Sequence, residues 1–292
     1  MIGPILGREW LVSPRKWKFY LQRVVFVAAL FSLVGTVWLL LAGMQQVRNI
    51  GDLARFGALA FQLVVPLELL IVMFLAAVST AASVAQEKDR RTLVLLLLTR
   101  LRSSEIVLGK LLASLLAIAN MVLSSLPLLL IFPLLGGVSV EQSLQAMAII
   151  LVTAFWCAAL GGLVGFWREK TFQALAMTLL AIAAWCVLAE AVAMSAVSAI
   201  PADWAKIISP LRAVWSVCQP MPDSAFSGVP GGITSLYCLM GLGLGSLICG
   251  IAVARLRAWN PSQQVRPQTP EPDEDLASDA LSPERLAAAA TW

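Results

Sequence analysis

Two carboxylates stand where the surrounding sequence is too apolar for them. Glu68 lies among Val64, Val65, Leu67, Leu69 and Leu70, and Glu190 among Leu188, Ala189, Ala191 and Val192. An ionisable group at membrane depth is expensive and reads as functional, facing a pathway, unless it is paired. The alternative is a protonated, hydrogen-bonded pair that fixes helix packing. The chain contains no histidine. Ser-His-Asp and Cys-His catalysis, His-ligated zinc and His proton relays therefore have no residues to use. Of the five cysteines, Cys157, Cys186, Cys238 and Cys249 lie in apolar runs as small hydrophobes. Cys218 alone falls in a polar loop, where a reactive thiol is conceivable.

The densest run of chemically capable side chains lies between Ala85 and Lys110. Glu87, Lys88, Asp89, Arg90 and Arg91 are followed by Leu93, Leu95, Leu96, Leu97 and Leu98, and then by Arg100, Arg102, Glu105 and Lys110. The leucines are too few to cross a bilayer, so they must bury against another protein surface or in the interface. The pattern predicts a short amphipathic helix ending near Thr99, with a new helix start at Ser103 or Ser104 and Glu105 favourably placed on its dipole. Read from composition alone, the same stretch is equally a basic loop that sets topology. Glu87 and Arg91 stand four apart, so an intrahelical pair is also open to them.

The elements that carry these residues follow from composition. With 59% hydrophobic and 13% charged residues in 292, and a mean hydropathy of +0.84, the chain exceeds the apolar share of soluble proteins, about 45–50%. It belongs in a membrane. A helix needs about 20 apolar residues to cross the hydrocarbon, and six segments qualify, near 22–43, 58–85, 106–135, 144–166, 171–199 and 232–255. Kinks are expected at Pro66 or Pro127. These limits put Glu68 about ten residues from one end of its span, roughly 15 Å deep, and Glu190 at a similar depth. Ser79, Thr80 and Ser83 are expected to bond the preceding helical turn. Gly161-x-x-x-Gly165 and Gly241-x-x-x-Gly245 allow close helix approach, more readily within one subunit than between two.

Six spans leave both termini on one side. With a cytoplasmic N-terminus, seventeen lysines and arginines fall inside, and only Arg48, Arg55, Lys206 and Arg212 outside. Arg8, Arg15, Lys16, Lys18 and Arg23 precede the first span, and no small-residue cleavage site follows it, so that span is expected to remain as an anchor. Residues 1–21 suit a helix lying in the interface, bent at Pro14. In the outer loop, 200–231, Trp204, Ile207, Ile208, Leu211, Val214 and Trp215 recur at helical spacing, as for a short helix dipping into the outer leaflet. The tail, 261–292, holds six acids against Arg266 and Arg285 among five prolines. It is expected to be disordered, with one brief helix starting at Ser282-Pro283-Glu284. Its net −4 masks a +8 on the rest of the chain.

The stretch from Ala85 to Lys110 resembles the region around the coupling helix of ABC-2 type transporter permeases. Ala85, Glu87, Lys88, Arg90, Thr92, Leu93, Leu96, Leu97, Thr99, Leu101, Ser103, Glu105, Ile106, Gly109 and Lys110 fit that family's pattern. Arg100 replaces its usual proline. Pro4-Ile5-Leu6 and Arg8-Glu9 fit its opening motif, with Gly3 in place of asparagine. The likeness covers nearly all of residues 1–260.

The resemblance implies an all-α fold, with six transmembrane helices, an N-terminal interfacial helix (1–21) and a cytoplasmic coupling segment (86–105) within a transmembrane domain, 22–260. It also implies a permease subunit that is not itself an enzyme, driven by a separate ABC ATPase that binds ATP and Mg. The sequence agrees, since Gly109-Lys110 is followed by Leu111 and lacks the glycine-rich turn of a phosphate loop. A second permease, identical or different, and membrane lipid are the other implied partners. No nucleic acid and no cofactor are implied. Glu87, Arg90, Arg91, Thr92, Leu93, Leu96 and Leu97 are expected at the ATPase contact, with Arg168 and Lys170 as a second contact. Export across a bacterial inner membrane is the expected direction. The rival reading is a proton-coupled secondary transporter using Glu68 and Glu190, which should show inverted repeats between its halves. No convincing match between the halves is present. An integral membrane enzyme is disfavoured, because every aspartate falls outside the spans.

Overall fold

The computed structural model describes residues 17–44, 50–89, 103–168, 170–194, 207–219 and 232–259. Regular structure among them is entirely helical. The elements are α1 (Trp17–Met44), α2 (Ile50–Asp89), α3 (Ser103–Leu123), α4 (Leu126–Leu135), α5 (Val140–Trp167), α6 (Thr171–Met194), α7 (Pro210–Cys218) and α8 (Gly232–Trp259). They contain six helical stretches long and apolar enough to cross a membrane: Tyr20–Leu40, Gly51–Lys88, Ser104–Leu135, Val140–Trp167, Thr171–Val192 and Gly232–Leu256. Their positions agree with the six expected spans. Residues 1–16 of the expected interfacial helix (1–21), residues 90–102 of the expected coupling segment (86–105) and the whole of the expected tail (261–292) lie outside the described residues.

The prolines act differently from one another. Pro66 sits inside α2, whose 40 residues remain a single helix. At about 1.5 Å per residue α2 is about 60 Å long, twice a hydrocarbon core of about 30 Å, so it projects beyond the bilayer. Glu68 lies near the middle of α2. At Pro127 the expected interruption occurs two residues earlier, as a turn at Ser124–Ser125 between α3 and α4. Pro127 then occupies the first turn of α4, where a missing N–H costs nothing.

Helices α2 and α5 form the centre. α5 packs along α2 and α8, with α3 and α6 also against both α2 and α5. The α2–α5 seam is built from small residues: Ala76, Ala77, Thr80 and Ala81 are buried on one side, and Gly161, Gly162 and Gly165 face them. Gly241 and Gly245 of α8 meet Val152 and Phe155 of α5. Both glycine pairs thus serve packing within the chain. Ser79, Thr80 and Ser83 bond carbonyls of the preceding turn as expected, and Thr80 additionally meets Ser114 of α3 at 2.8 Å.

Helix α7 docks on α2, α5 and α8. Its buried side is Pro210, Ala213, Val214, Val217 and Cys218, while Trp215 is 54% exposed. The expected stripe is therefore partly corrected: Ile207 and Val214 face the bundle, Leu211 is half-buried, Trp215 faces away, and Trp204 lies outside the described residues. The last carbonyls of α7, which have no helical partners, are bound by two glutamines. Gln62 donates to Cys218 O at 3.2 Å, and Gln142 to Val217 O and Gln219 O at 3.2 and 3.1 Å. Gln142 also completes a capping box with Ser139 at the start of α5.

Candidate functional site

One end of the bundle gathers the charges that flank the Leu-rich segment. α2 arrives there with Glu87 and Lys88, and α3 departs with Lys110, so the two stems of the segment stand side by side. The Lys110 ammonium donates to Glu87 Oε1 in an ion pair that is only partly exposed. Lys88 turns the other way and donates to the carbonyl of Phe166, in the last turn of α5, at 3.0 Å. A cation at a helix C-terminus is favoured by the aligned peptide dipoles as well as by the hydrogen bond.

Arg168 follows immediately. Its backbone N–H closes α5 on Val164 O at 2.9 Å, its guanidinium carbon lies 4.0 Å from the centre of the Trp167 ring, and its Nε contacts Met177 Sδ of α6. Trp167 in turn lies 6.4 Å from Trp259 of α8, centre to centre. Lys170 is exposed and opens α6, its carbonyl accepting from Ala174 N. The structure thus brings Glu87, Arg168 and Lys170 to this basic end. Arg90, Arg91, Thr92, Leu93, Leu96 and Leu97 lie outside the described residues. Sequence reasoning missed Lys110 as the partner of Glu87. The signal was available, because the two residues bracket the Leu-rich run with opposite charges.

The two carboxylates within the spans have separate partners. Glu68 is fully buried and accepts from Ser125 Oγ at the α3–α4 turn, and its Oε2 has no hydrogen-bond partner among the described residues. Ser125 stands at the N-cap position of α4 but makes no cap bond there, because its hydroxyl is directed at Glu68 and at Val122 O, 2.6 Å away. The neighbouring Ser124 accepts from Arg23 Nε at 2.9 Å. Arg23, one of the cations counted with the N-terminus, is therefore held at the far end of α3 from Lys110.

Glu190 lies in α6, four residues before the last described residue of that helix. Arg212 of α7 holds it through Nε at 2.9 Å and Nη2 at 2.8 Å, and Ser209 donates to its other oxygen at 3.1 Å. Cys218, expected in a polar loop, is buried at the end of α7, and burial pushes its thiol up to about 12. This corrects the reading of a reachable thiol.

Two further features lie among the spans. Tyr237 OH of α8 meets Thr153 Oγ1 at 2.7 Å and accepts from Trp156 Nε1 at 3.4 Å, a buried polar link between α8 and α5. A cleft of about 320 Å³ between α3, α5 and α8 is lined by Leu115, Ala119, Val152, Phe155 and Leu242 among others, all apolar.

Six helices long and apolar enough to cross a membrane define a polytopic membrane protein. The family model described as ABC-2 family transporter protein matches residues 4–221, and the chain belongs to that family. No curated protein matches it. The protein is accordingly an integral membrane permease of an ABC transporter, a transmembrane component of a family that associates with an ABC ATPase subunit.

Proposed function

We propose that the chain moves its substrate outward across a bacterial inner membrane, with both termini cytoplasmic, powered by ATP hydrolysis on a separate subunit that pushes on segment 86–105. The observation that carries this reading is the family match, which spans the Leu-rich segment and five complete membrane helices. The excess of lysine and arginine on the same side supports the orientation. Arg90, Arg91, Thr92, Leu93, Leu96 and Leu97 form the ATPase contact, the leucines filling a pocket and the charges orienting it. Arg168 and Lys170 add a second contact. The permease works as a homodimer or beside a second permease.

The pairing of Glu68 with Ser125 and of Glu190 with Arg212 supports packing roles for both carboxylates over a proton relay. The test is charge reversal of Arg90 and Arg91 in the chain reconstituted with its ATPase subunit in vesicles. The double variant is expected to hydrolyse ATP while vanadate trapping no longer changes the accessibility of a label at the exposed Val140, at the opposite end of α5. An undiminished response at Val140 removes the interface assignment.

A further inference from the structure

Two successive side chains at the end of α2 reach in different directions, and each binds a different helix. Glu87 binds Lys110, which joins α2 to α3 across the mouth of the Leu-rich segment. Lys88 binds the Phe166 carbonyl, which joins α2 to the last turn of α5 just before Arg168. Beneath these bonds the helices are already in close apolar contact: Val84, Ile106, Val107, Phe166, Ala252 and Leu256 form one buried cluster. The polar bonds thus cross the rim of a packed core. They also connect the roots of the two elements assigned to the ATPase contact, segment 86–105 and the turn at 168–170.

We propose that Glu87, Lys88 and Lys110 are positioning residues that fasten the ends of α2, α3 and α5 into one plate, so that a push on either cytoplasmic element moves the three helices together. The proposal rests on the coupling role given above. It assigns Glu87 to an intrachain bond instead of a contact with the ATPase. Its logic is geometric. A lever transmits force only if its two stems cannot splay, and the Glu87–Lys110 ion pair, largely shielded from water, ties the stems where they leave the packed core. The Lys88 bond extends the same constraint to α5. Without it the turn at 168–170 could shift while segment 86–105 stayed in place.

The experiment places spin labels at the exposed Gln86 of α2 and Leu108 of α3, in a background lacking the five native cysteines. Distances are measured in the complex with its ATPase subunit, before and after trapping with ATP and vanadate. One narrow distance, the same in both states, is expected. E87Q and K110Q should broaden it, and the swapped pair E87K/K110E should restore the narrow peak. A second pair of labels, at Gln86 and Trp167, should broaden in K88Q. If E87Q and K110Q leave the distribution as narrow as in the parent, or if the swap fails to restore it, the plate is overturned.

The charge-reversed Arg90/Arg91 chain, run in parallel, separates the two readings. A plate that persists while that chain still responds at Val140 means that the coupling assignment has failed, and the plate with it as a coupling device. Loss of the Val140 response with an unchanged Gln86–Leu108 distance in E87Q means that only the plate has failed.

Discussion

Ser125 binds Glu68 across the turn that separates α3 from α4, and in doing so gives up the cap of the helix it begins. Its hydroxyl stands between two acceptors, the Glu68 carboxyl and the Val122 carbonyl. A serine has one proton to give and two lone pairs. The turn is therefore held to α2 by a bond whose direction depends on what Glu68 offers.

This arrangement predicts unequal effects of two substitutions. E68Q keeps the side-chain volume and can either accept through its oxygen or donate through its amide, so its thermal unfolding should stay close to that of the parent. S125A leaves a fully buried carboxyl without its bond and should cost about 1–3 kcal/mol. Melting curves in detergent decide it. Equal stability of S125A and parent would show that the bond does not hold the turn.

The six spans were legible because apolar length is a local property of sequence. Which residues meet was not. Glu68 and Ser125 are 57 positions apart, and Glu87 and Lys110 are 23 apart. Both pairings depend on the register of antiparallel helices, which is set by packing along the whole seam. The face of α7 was misassigned for a related reason. Lipid and protein interior are both apolar, so a hydrophobic stripe says that a face avoids water without saying which of the two it meets. Only the structure separates Val214, packed on the bundle, from Trp215, turned away from it. The glycine pairs were legible as sites of close approach, because small residues signal contact whatever the partner.

Cys218 should be inert in the folded protein. At pH 8 a thiol pushed up to about 12 is almost wholly protonated, and the thiolate is the reactive form. In the unfolded chain the same thiol returns to its ordinary value of 9.0. Between those values the folded state holds a proton that the unfolded state has lost, so stability should fall as pH rises above about 9. Maleimide labelling of a chain whose other cysteines are replaced provides the check. Modification at position 218 without unfolding would contradict the burial.

Glu190 and Arg212 should be worth little to stability. Each side chain is 36% exposed, and ion pairs this open contribute about 0–1 kcal/mol after screening. A double-mutant cycle with E190Q and R212Q is expected to give a coupling energy in that range, declining with salt. A carboxylate on a substrate pathway behaves otherwise. E190Q would then change the vanadate-trapped response at Val140 by itself, with R212Q leaving that response intact, and such a result would move Glu190 from packing to transport.

Adjacent glycines in α5 give the sharpest contrast. A Cβ on Gly161 would stand 2.5 Å from the Ala77 carbonyl oxygen and 3.3 Å from its Cα, both backbone atoms that cannot rotate aside. One residue on, a Cβ at Gly162 would meet only Thr80 Cγ2 at 3.5 Å, an ordinary contact. G161A must therefore push α5 away from α2 and should destabilise the chain by about 1–3 kcal/mol, the usual cost of overpacking. G162A meets no such obstacle and gains up to about 1 kcal/mol of helix propensity. Thermal unfolding of the two variants should consequently move in opposite directions. If G161A left the melting temperature unchanged and altered only the oligomeric state, the Gly161 face would be a seam between subunits, and the α2–α5 centre of the bundle would have to be redrawn.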